Sequence, residues 1–219
     1  MRWNSSAHCA PALKLPGPTA LDTVVRLYTK TIPEFYGRSC EIQILTPQVR
    51  GTLGTLGLNQ QIQQAVNPEK PDRRQITIGE KIFWEGDRVI QTRNNYDLGV
   101  FNGDIGGIQA IDPEDYSCRI RFGSSGQVVT YPKEDLTELA LAYAVTIHKS
   151  QGSEFETVII PIHAQHFKML FRNLIYTAVT RAKKLAVFVG SRKALAMAVR
   201  TIDSRKRQTA LSQLVSQHF

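Results

Sequence analysis

Two kinds of strand pattern occur along this chain of 219 residues, and its fold has to accommodate both. The segment 185–190 is an almost unbroken apolar run, which is typical of a strand buried on both faces of a parallel sheet. Between about Gly86 and Leu136, short β-rich runs alternate with turn clusters such as Asn102-Gly103. Strands so short and closely spaced favour a small antiparallel barrel. The two patterns together predict an α/β domain that is interrupted by an inserted barrel.

Apolar periodicity predicts the remaining elements. Thr19, with Asp22 three residues later, resembles a capping box at the start of a helix over 19–35. Further strands are expected at 41–46, 139–146 and 157–162, with the short runs of the barrel at 88–93, 104–111, 118–122 and 127–131. Further helices are expected at 55–66, with Leu58, Ile62 and Val66 inward; at 167–179, with Phe167, Leu170, Leu174, Ile175 and Ala178 inward; and from 191 towards 202. We therefore divide the chain into a lead-in (1–18), an α/β domain (19–85 and 137–203), a barrel (86–136) and a C-terminal tail (204–219).

Composition limits the class of protein. Hydrophobic residues make up 42% and charged residues 21%, an ordinary globular balance, and no apolar run reaches the roughly 18 residues of a membrane span. The N-terminus lacks the apolar core of a signal peptide. Cys9, Cys40 and Cys118 are too far apart to indicate a disulfide framework or a zinc site, which suits a cytoplasmic protein. The net charge of +8 favours a polyanionic partner, and an ordinary basic surface explains it equally well.

The densest polar segment is 146–155, which reads TIHKSQGSEF. It lies between two predicted strands, and open α/β sheets bind ligands in loops at the carboxyl ends of strands. The hydroxyls of Thr146 and Ser150 could hold phosphates, Lys149 would add a charge-assisted contact, and Glu154 could accept from a ribose hydroxyl. A polar surface loop explains the same residues about as well.

Two further segments combine a predicted element with basic residues. The segment 173–183 reads NLIYTAVTRAK and predicts a helix that ends in Thr180, Arg181, Lys183 and Lys184. Basic residues in a last helical turn complement the helix dipole and need no further function. The segment 44–51 reads ILTPQVRG, a strand that runs into a polar loop with one arginine, and a plain turn would explain it. Neither segment establishes a site by itself.

In chain order, the three segments resemble motifs IV, V and VI of superfamily 1 helicases. The residues of these segments are most similar to those of the RecD-type family, which includes exonuclease V alpha-subunit-like proteins and the helicase domains of conjugative relaxases. The segment 46–59 resembles the motif IV region, 146–155 motif V, and 176–182 (YTAVTRA) motif VI; the segments 86–91, 94–97 and 100–104 resemble the start of the family's SH3-like insertion. The resemblance covers residues 13–191. It implies a RecA-like parallel sheet of the P-loop-NTPase type, the second motor domain (2A), interrupted by a small SH3-like β-barrel (2B).

The resemblance implies a role for each matching residue. Arg181 matches the motif VI arginine that reaches the γ-phosphate as an arginine finger, and such residues are worth about 10³–10⁵ in rate. Arg50 would be a second phosphate-sensing arginine, and Glu154 and Gly152 would lie beside the nucleotide ribose. The residues expected on the single-stranded DNA side are Thr46, Thr146, His148, Lys149 and Ser150, with Tyr96 as a base-stacking candidate. Phe101 is expected to be buried in the barrel, and no metal site is expected.

The chain contains no G-x-x-x-x-G-K-[ST] loop, because Lys149-Ser150 follows His148 and not a glycine. In the family, that loop belongs to the first RecA-like domain. The resemblance therefore implies the C-terminal half of an ATP-dependent 5′–3′ DNA helicase of recombination, repair or conjugation, which cannot hydrolyse ATP alone. ATP and Mg²⁺ would be shared with the first RecA-like domain and not held tightly by this chain. The expected partners are single-stranded DNA, that domain of the same polypeptide, and either exonuclease V subunits or a relaxase domain, with no membrane.

Two other functions stay open from the sequence. A degenerate relative could be a nucleic-acid-binding or assembly module without motor function. Arg181 and Glu154 argue against it, because such a module has no use for nucleotide-facing residues. A self-sufficient hydrolase based on His148 and Ser150 is disfavoured, because no Asp or Glu is placed to orient them.

Overall fold

Helical segments form the outer layers of the α/β part of the structure. The structure is a computed structural model that describes residues 19–201, except 38, 69, 71–72, 124–125 and 164–168. In chain order the helices are α1 (Ala20–Arg26), which continues through a π-helical turn (Leu27–Thr31) into α2 (Ile32–Tyr36), then α3 (Thr55–Val66), a 3₁₀ turn (Asp135–Glu138), α4 (Arg172–Val179) and α5 (Arg192–Arg200). None of the described helices has the length and apolar character that crossing a bilayer requires.

The strands separate into three sheets. They are β1 (Ile42–Thr46), β2 (Gln75–Ile78), β3 (Lys81–Trp84), β4 (Arg88–Gln91), β5 (Ile105–Asp112), β6 (Ser117–Phe122), β7 (Val128–Tyr131), β8 (Leu139–Leu141), β9 (Ala144–Thr146), β10 (Phe155–Ile162) and β11 (Ala182–Gly190). The order β11-β10-β1-β9 forms a parallel sheet, β2 and β3 form a hairpin, and β7-β6-β5-β4-β8 form an antiparallel sheet. The predicted α/β domain with an all-β insertion is confirmed.

The parallel sheet is buried on both faces, as its apolar strands require. One face packs with α4 and α5 around Val158 and Ile160, and the other packs with α1 and α3 around Ile44 and Ile159. All five residues of β1 and nearly all of β10 are buried. These layers account for the apolar run at 185–190 and for the strands predicted at 41–46 and 157–162.

Helix boundaries follow the capping signals closely. The Thr19 hydroxyl accepts from the Asp22 backbone N–H at 3.2 Å, and the Asp22 carboxylate accepts from the Thr19 N–H at 2.9 Å, so the capping box is confirmed. Helix α3 has the predicted bounds with Leu58 and Ile62 buried, but Val66 is 41% exposed because the helix leaves the core at its last residue. Helix α4 starts only at Arg172, after the extended backbone of Phe171.

One sequence interpretation changes at the end of α4. Lys183 and Lys184 lie in β11 and not in a last helical turn, because the chain pairs with β10 from Ala182 onward. Their charges therefore do not complement the dipole of α4. Cys40 and Cys118 are free thiols. Phe167, Cys9, the predicted lead-in 1–18 and the predicted tail 204–219 lie outside the described residues.

The insertion is an SH3-like domain in which the described strands do not close into a barrel. Its five-stranded sheet stays open, with β7 and β8 at the edges. The hairpin β2–β3 covers the sheet instead, because Ile76 and Phe83 pack in the same core as Ile120 and Tyr131. Strands at 75–84 are not among the predicted elements, and these residues fall within the predicted α/β domain (19–85).

The single strand predicted at 139–146 is two strands in two different sheets. Strand β8 pairs antiparallel with β4, and β9 pairs parallel with β1. The backbone between them is held by a buried amide of β1, since Gln43 Nε2 donates to the carbonyls of Ala142 and Tyr143 at 3.1 Å each. The chain therefore passes directly from the insertion into the parallel sheet at this point.

Candidate functional site

The loop 147–154 joins opposite ends of the parallel sheet. It leaves the carboxyl end of β9 at Thr146 and reaches the amino end of β10 at Phe155, and the two strands run in the same direction on either side of β1. The residues that the sequence predicts on this loop therefore fall into two groups. The first residues of the loop lie near the end of β1, and the last lie near the start of β11.

Arg181 lies at the second of these places, together with Gly152 and Glu154. Its Nη1 donates to the Ser153 carbonyl at 3.1 Å, and its own carbonyl accepts from the Phe155 N–H at 2.8 Å. The segments that resemble motifs V and VI are thus joined by direct contacts. Gly152 adopts a φ of 88°, which glycine tolerates best, and the turn brings Ser153 onto the guanidinium.

The guanidinium of Arg181 is half-buried and has hydrogen-bonding capacity left. Nη2 approaches the Thr180 hydroxyl at 3.4 Å, and the buried Nε has no hydrogen-bond partner among the described residues. Nη1 and Nη2 carry two hydrogens each, so donors stay available for a further acceptor. The guanidinium can therefore bind an additional acceptor, such as an anion.

Paired charges surround this site. The Lys183 ammonium lies 3.6 Å from the Glu154 carboxylate, and the Lys184 ammonium lies 2.5 Å from that of Glu156. The hydrogen bond from Lys184 lowers the pKa of Glu156, and the same contact raises the pKa of Lys184. Lys184 is therefore the more closely paired of the two lysines, and the side chains of both are more than half exposed.

Glu154 and Lys183 also line a cleft of about 940 Å³ between the loop 147–154 and the insertion. The opposite wall contains Arg88 and Arg121 and the glycine-rich start of β5. Arg88 forms an ion pair with Glu41 at 2.9 Å. The cleft is therefore a polar channel of mixed charge.

The other predicted residues cluster where β1 and β9 end side by side, with Thr46 paired to Thr146. Thr46 is buried, and its hydroxyl donates to the Leu53 carbonyl at 2.6 Å. Ser150 is 1% exposed, and its hydroxyl donates to the Ile147 carbonyl at 2.8 Å. These two hydroxyls shape the loops, whereas His148 and Lys149 are exposed.

Arg50 and Tyr96 lie apart from Arg181. Arg50 is exposed in the loop after β1, which is the opposite end of the sheet from the start of β11. Tyr96 is 77% exposed on the loop between β4 and β5, where its ring meets that of Phe101 edge-on at 6.2 Å. The expected burial of Phe101 is wrong, because the side chain is 50% exposed; Phe101 lies in that loop, outside the core of the sheet.

The sequence motifs do not mark Lys183 and Lys81 as site residues. Lys183 directly follows the segment that resembles motif VI (176–182), and the sequence pattern placed it at a helix end. Lys81 follows the Gly79-Glu80 turn of the hairpin β2–β3, and its ammonium donates to the Leu139 carbonyl at 2.8 Å. The alternation of Ile76 and Ile78 with polar neighbours, followed by this turn, was a signal for the hairpin.

Two family models match this chain. The model for the SH3 domain of ATP-dependent RecD-like DNA helicases matches residues 58–122, and the model for the C-terminal domain of UvrD-like helicases matches residues 141–189. The chain is also 37% identical over 177 residues to the ATP-dependent RecD2 DNA helicase of Deinococcus radiodurans. That alignment covers 81% of this chain and 24% of that protein. It is 34% identical to the RecBCD enzyme subunit RecD of Mycolicibacterium smegmatis, over 76% of this chain and 29% of that protein.

Solved structures show the same fold at low sequence identity. A Bacteroides Pif1 helicase in complex with ADP-AlF3 and single-stranded DNA superposes with a TM-score of 0.55 at 19% identity, over 90% of this chain and 49% of that chain. A second Bacteroides Pif1 structure, bound to single-stranded DNA, superposes with a TM-score of 0.51 at 18% identity, over 90% of this chain and 52% of that chain. This chain spans about a quarter of the length of the first curated relatives that it matches.

Proposed function

Because this chain belongs to the RecD-like DNA helicase family, we propose that it is the second motor half of an ATP-dependent 5′–3′ DNA helicase or translocase. The observation that carries the proposal is the contact between Arg181 and the Ser153 carbonyl, beside Glu154. It joins the segments that resemble motifs V and VI into one site. A module that only binds nucleic acid has no need for this arrangement.

In the proposed mechanism, the nucleotide lies between this half and the first RecA-like domain of the same polypeptide. Arg181 would donate to the γ-phosphate and stabilise the charge that develops in phosphoryl transfer. Glu154 would accept from the ribose, and Gly152 would let the loop approach the nucleotide closely. Closure of the two domains around ATP and their opening after hydrolysis would then move the DNA by a step.

The side chains of this half fit phosphate and ribose better than a metal ion. Among the described residues, no group of three or more His, Cys, Asp or Glu is placed to hold one. Glu154 is held towards Lys183, and Glu41 towards Arg88. The ligands of Mg²⁺ would therefore come from the first RecA-like domain, and this chain alone would bind ATP weakly and not hydrolyse it.

The proposed DNA grip lies where β1 and β9 end. His148 and Lys149 are exposed there, and Thr46, Thr146 and Ser150 support the loops that present them. Because Arg50 follows the same end of the sheet, we assign it to this grip and not to the phosphate beside Arg181. The exposed pair Tyr96 and Phe101 would stack on bases of the single strand.

Partners and location follow as further parts of the proposal. The relatives named as RecD are subunits of the RecBCD enzyme, which makes exonuclease V subunits one class of partner, and a relaxase domain is the other. A cytoplasmic location is supported by the free thiols of Cys40 and Cys118.

The test is ATP turnover by this chain and by the polypeptide that also contains the first RecA-like domain, each with and without single-stranded DNA. We expect turnover only in the longer protein. In that protein, Arg181→Ala should lower turnover by about 10³-fold or more and leave ATP binding nearly unchanged. Arg200→Ala, at an exposed arginine that ends α5, is the matched control.

Three outcomes would contradict the proposal. Near-normal turnover in Arg181→Ala would remove the arginine-finger role. Turnover by this chain alone would mean that it holds a complete site. Binding of DNA without turnover in either protein would favour the module without motor function.

A further inference from the structure

Strand β11 has one residue more than β10 where the two strands begin to pair. The register shifts between Phe155 and Thr157 of β10, so that Lys183 and Lys184 of β11 together lie opposite Glu156. An extra residue of this kind is a β-bulge, which bends the strand and redirects its side chains. Bulges are rare between parallel strands and are over-represented beside active sites. The start of β11 is therefore a place where the directions of side chains are set by an irregularity of the backbone.

The bulge directs two neighbouring lysines to two different carboxylates. The Lys183 ammonium lies 3.6 Å from the carboxylate of Glu154, and the Lys184 ammonium lies 2.5 Å from that of Glu156. Arg181 is fixed at the same place, because its carbonyl accepts a hydrogen bond of 2.8 Å from the backbone N–H that begins β10. The backbone at the start of β11 thus holds Lys183 close to both Arg181 and Glu154.

Only the first of these two ion pairs faces the cleft of about 940 Å³ beside the insertion. Glu154 and Lys183 both line that cleft, whereas Lys184 and Glu156 do not. Gly152 also lines it, and a Cβ atom at this glycine would meet no described atom within 4 Å outside its chain neighbours. The volume of the cleft lies in the range of small-ligand pockets. A ligand in the cleft can therefore reach the Glu154 carboxylate from its open side.

Lys183 orients the Glu154 carboxylate without occupying all of it. In the part of the chain that the structure describes, Lys183 is the only cation that pairs with Glu154, and the contact engages Oε2. Oε1 therefore stays available to accept from a hydroxyl group of a ligand. Because both side chains are more than half exposed, the ion pair is weak while the cleft is open to water. A domain that closed over the cleft would exclude water and strengthen the ion pair, since charges attract more strongly in a medium of lower dielectric constant.

We propose that Lys183 is a positioning residue of the nucleotide site, which holds the Glu154 carboxylate in the orientation that accepts from the hydroxyls of the ribose. The inference rests on the proposed function, in which Glu154 meets the ribose and Arg181 meets the γ-phosphate. It adds a residue that lies outside the segments resembling motifs V and VI, and it gives the bulge of β11 a role. Discrimination between ribose and deoxyribose in the nucleotide then depends on Lys183, whereas the charge stabilisation by Arg181 does not.

The test is steady-state turnover of ATP, 2′-deoxy-ATP and 3′-deoxy-ATP by the polypeptide that also contains the first RecA-like domain, with saturating single-stranded DNA. We expect the parent protein to have a lower kcat/KM for at least one deoxy analogue than for ATP. Lys183→Gln should raise the KM for ATP several-fold with little change in kcat, and should remove most of the difference between ATP and that analogue. Lys183→Arg should restore both, because it keeps the charge. Lys184→Gln is the matched control, since this neighbouring lysine is equally exposed and its partner Glu156 lies outside the cleft.

A double-mutant cycle separates positioning from a direct contact between Lys183 and the nucleotide. Glu154→Gln should remove the same sugar discrimination. Adding Lys183→Gln to Glu154→Gln should cause no further loss, because the ammonium acts through the carboxylate. Additive losses would mean that Lys183 binds the nucleotide by itself, and would overturn the positioning role.

The outcomes separate this inference from the proposed function. No turnover by the parent protein would overturn both. Turnover by the parent protein without discrimination against either analogue would overturn the ribose contact of Glu154 and this inference, and would leave the role of Arg181 standing. Unchanged discrimination in Lys183→Gln would overturn this inference alone. An equal effect of Lys184→Gln would indicate a general effect of charge and would also overturn it.

Discussion

The carboxylate of Asp87 is fully buried between the α/β domain and the insertion. Oδ1 accepts from the amide of Asn67 at 2.6 Å and from the hydroxyl of Tyr143 at 2.9 Å. Oδ2 accepts from the amide of Gln63 at 2.5 Å and from the backbone N–H of Trp84 at 2.8 Å. These donors come from α3, from the hairpin and from the link between β8 and β9. A single side chain thus connects α3, the hairpin β2–β3 and the link between β8 and β9.

Tyr143→Phe should lower the free energy of unfolding by about 1.5–3 kcal/mol, the usual value of a buried hydrogen bond to a charged group. The ring would keep its edge-on contact with Tyr28, so the change removes the hydroxyl without opening a large cavity. The measurement is urea unfolding of this chain followed by circular dichroism. Tyr116→Phe, at an exposed ring, is the control and should change stability by less than about 0.5 kcal/mol. A similar small effect in Tyr143→Phe would show that the hydrogen bond to Asp87 contributes little.

At the scale of elements, the sequence predicts the helices and strands that capping residues and apolar spacing determine. The capping box of Thr19 and Asp22 marks the start of α1, and the bounds of α3 follow from its apolar spacing. The strands that lie at the centre of the parallel sheet, β1 and β10, are mostly apolar because both of their faces are buried. Arg181 contacts the backbone of Ser153, between Gly152 and Glu154, so the segments that resemble motifs V and VI meet in the structure.

Features that depend on distant partners could not be predicted in this way. The run at 139–146 is uniformly apolar, and only the buried amides of Gln43 and Asn59 divide it between two sheets. Lys81 and Lys149 line one groove of about 540 Å³, although the hairpin that carries Lys81 lies more than 60 residues before Lys149 in sequence. Burial of the Thr46 and Ser150 hydroxyls likewise depends on loop contacts that their neighbours in sequence do not reveal.

The division of the chain into domains stays a prediction, and the packing suggests one revision of it. Ile76 and Phe83 of the hairpin share a core with the five-stranded sheet. We therefore propose that the insertion begins at β2 near Gln75, and not at Gly86.

The close approach of β11 to the end of β10 depends on Gly190. Its φ is 151°, and a Cβ atom at this position would lie 1.7 Å from the Ile162 carbonyl oxygen. Gly190→Ala should therefore lower the free energy of unfolding by about 3 kcal/mol or more, since the clash involves backbone on both strands. Gly107→Ala in β5 is the control, because a Cβ there would meet only the Asp87 carbonyl oxygen at 4.0 Å. Equal urea midpoints for the two variants would contradict this packing of β10 against β11.

At the scale of the whole molecule, the α/β domain and the insertion are joined by more than a covalent link. Strands β8 and β9 follow each other in sequence and belong to different sheets. Ile90 of the insertion packs in the same core as Val158 of the parallel sheet. These shared contacts predict that the two parts unfold together, so that one stability measurement reports on both.

Several thiol and phenol groups that keep their protons in the folded protein make its stability change with pH in the alkaline range. Burial, and then the charge of Glu85, raises the pKa of the Cys118 thiol to about 11 from an ordinary value of 9.0. Burial is also the largest cause that raises the pKa of the phenols of Tyr28, Tyr131 and Tyr143 from 10.0. In each case the folded state holds its proton to a higher pH than the unfolded state does.

Ionisation of these groups should therefore leave the free energy of unfolding unchanged below about pH 9. Above that pH the free energy of unfolding should fall, and it should fall more steeply above about pH 10. Each group contributes at most about 1.4 kcal/mol per pH unit within its own window, because the unfolded state loses a proton that the folded state keeps. The measurement is the urea midpoint as a function of pH, together with the phenolate absorbance of the three buried tyrosines, which should appear only as the chain unfolds. Cys118→Ala should move the onset from about pH 9 to about pH 10, whereas Tyr96→Phe, at an exposed ring, should leave the pH profile unchanged. A urea midpoint that stays constant to about pH 11 would mean that these groups ionise in the folded protein. Water would then have to reach the cores that the structure shows as closely packed.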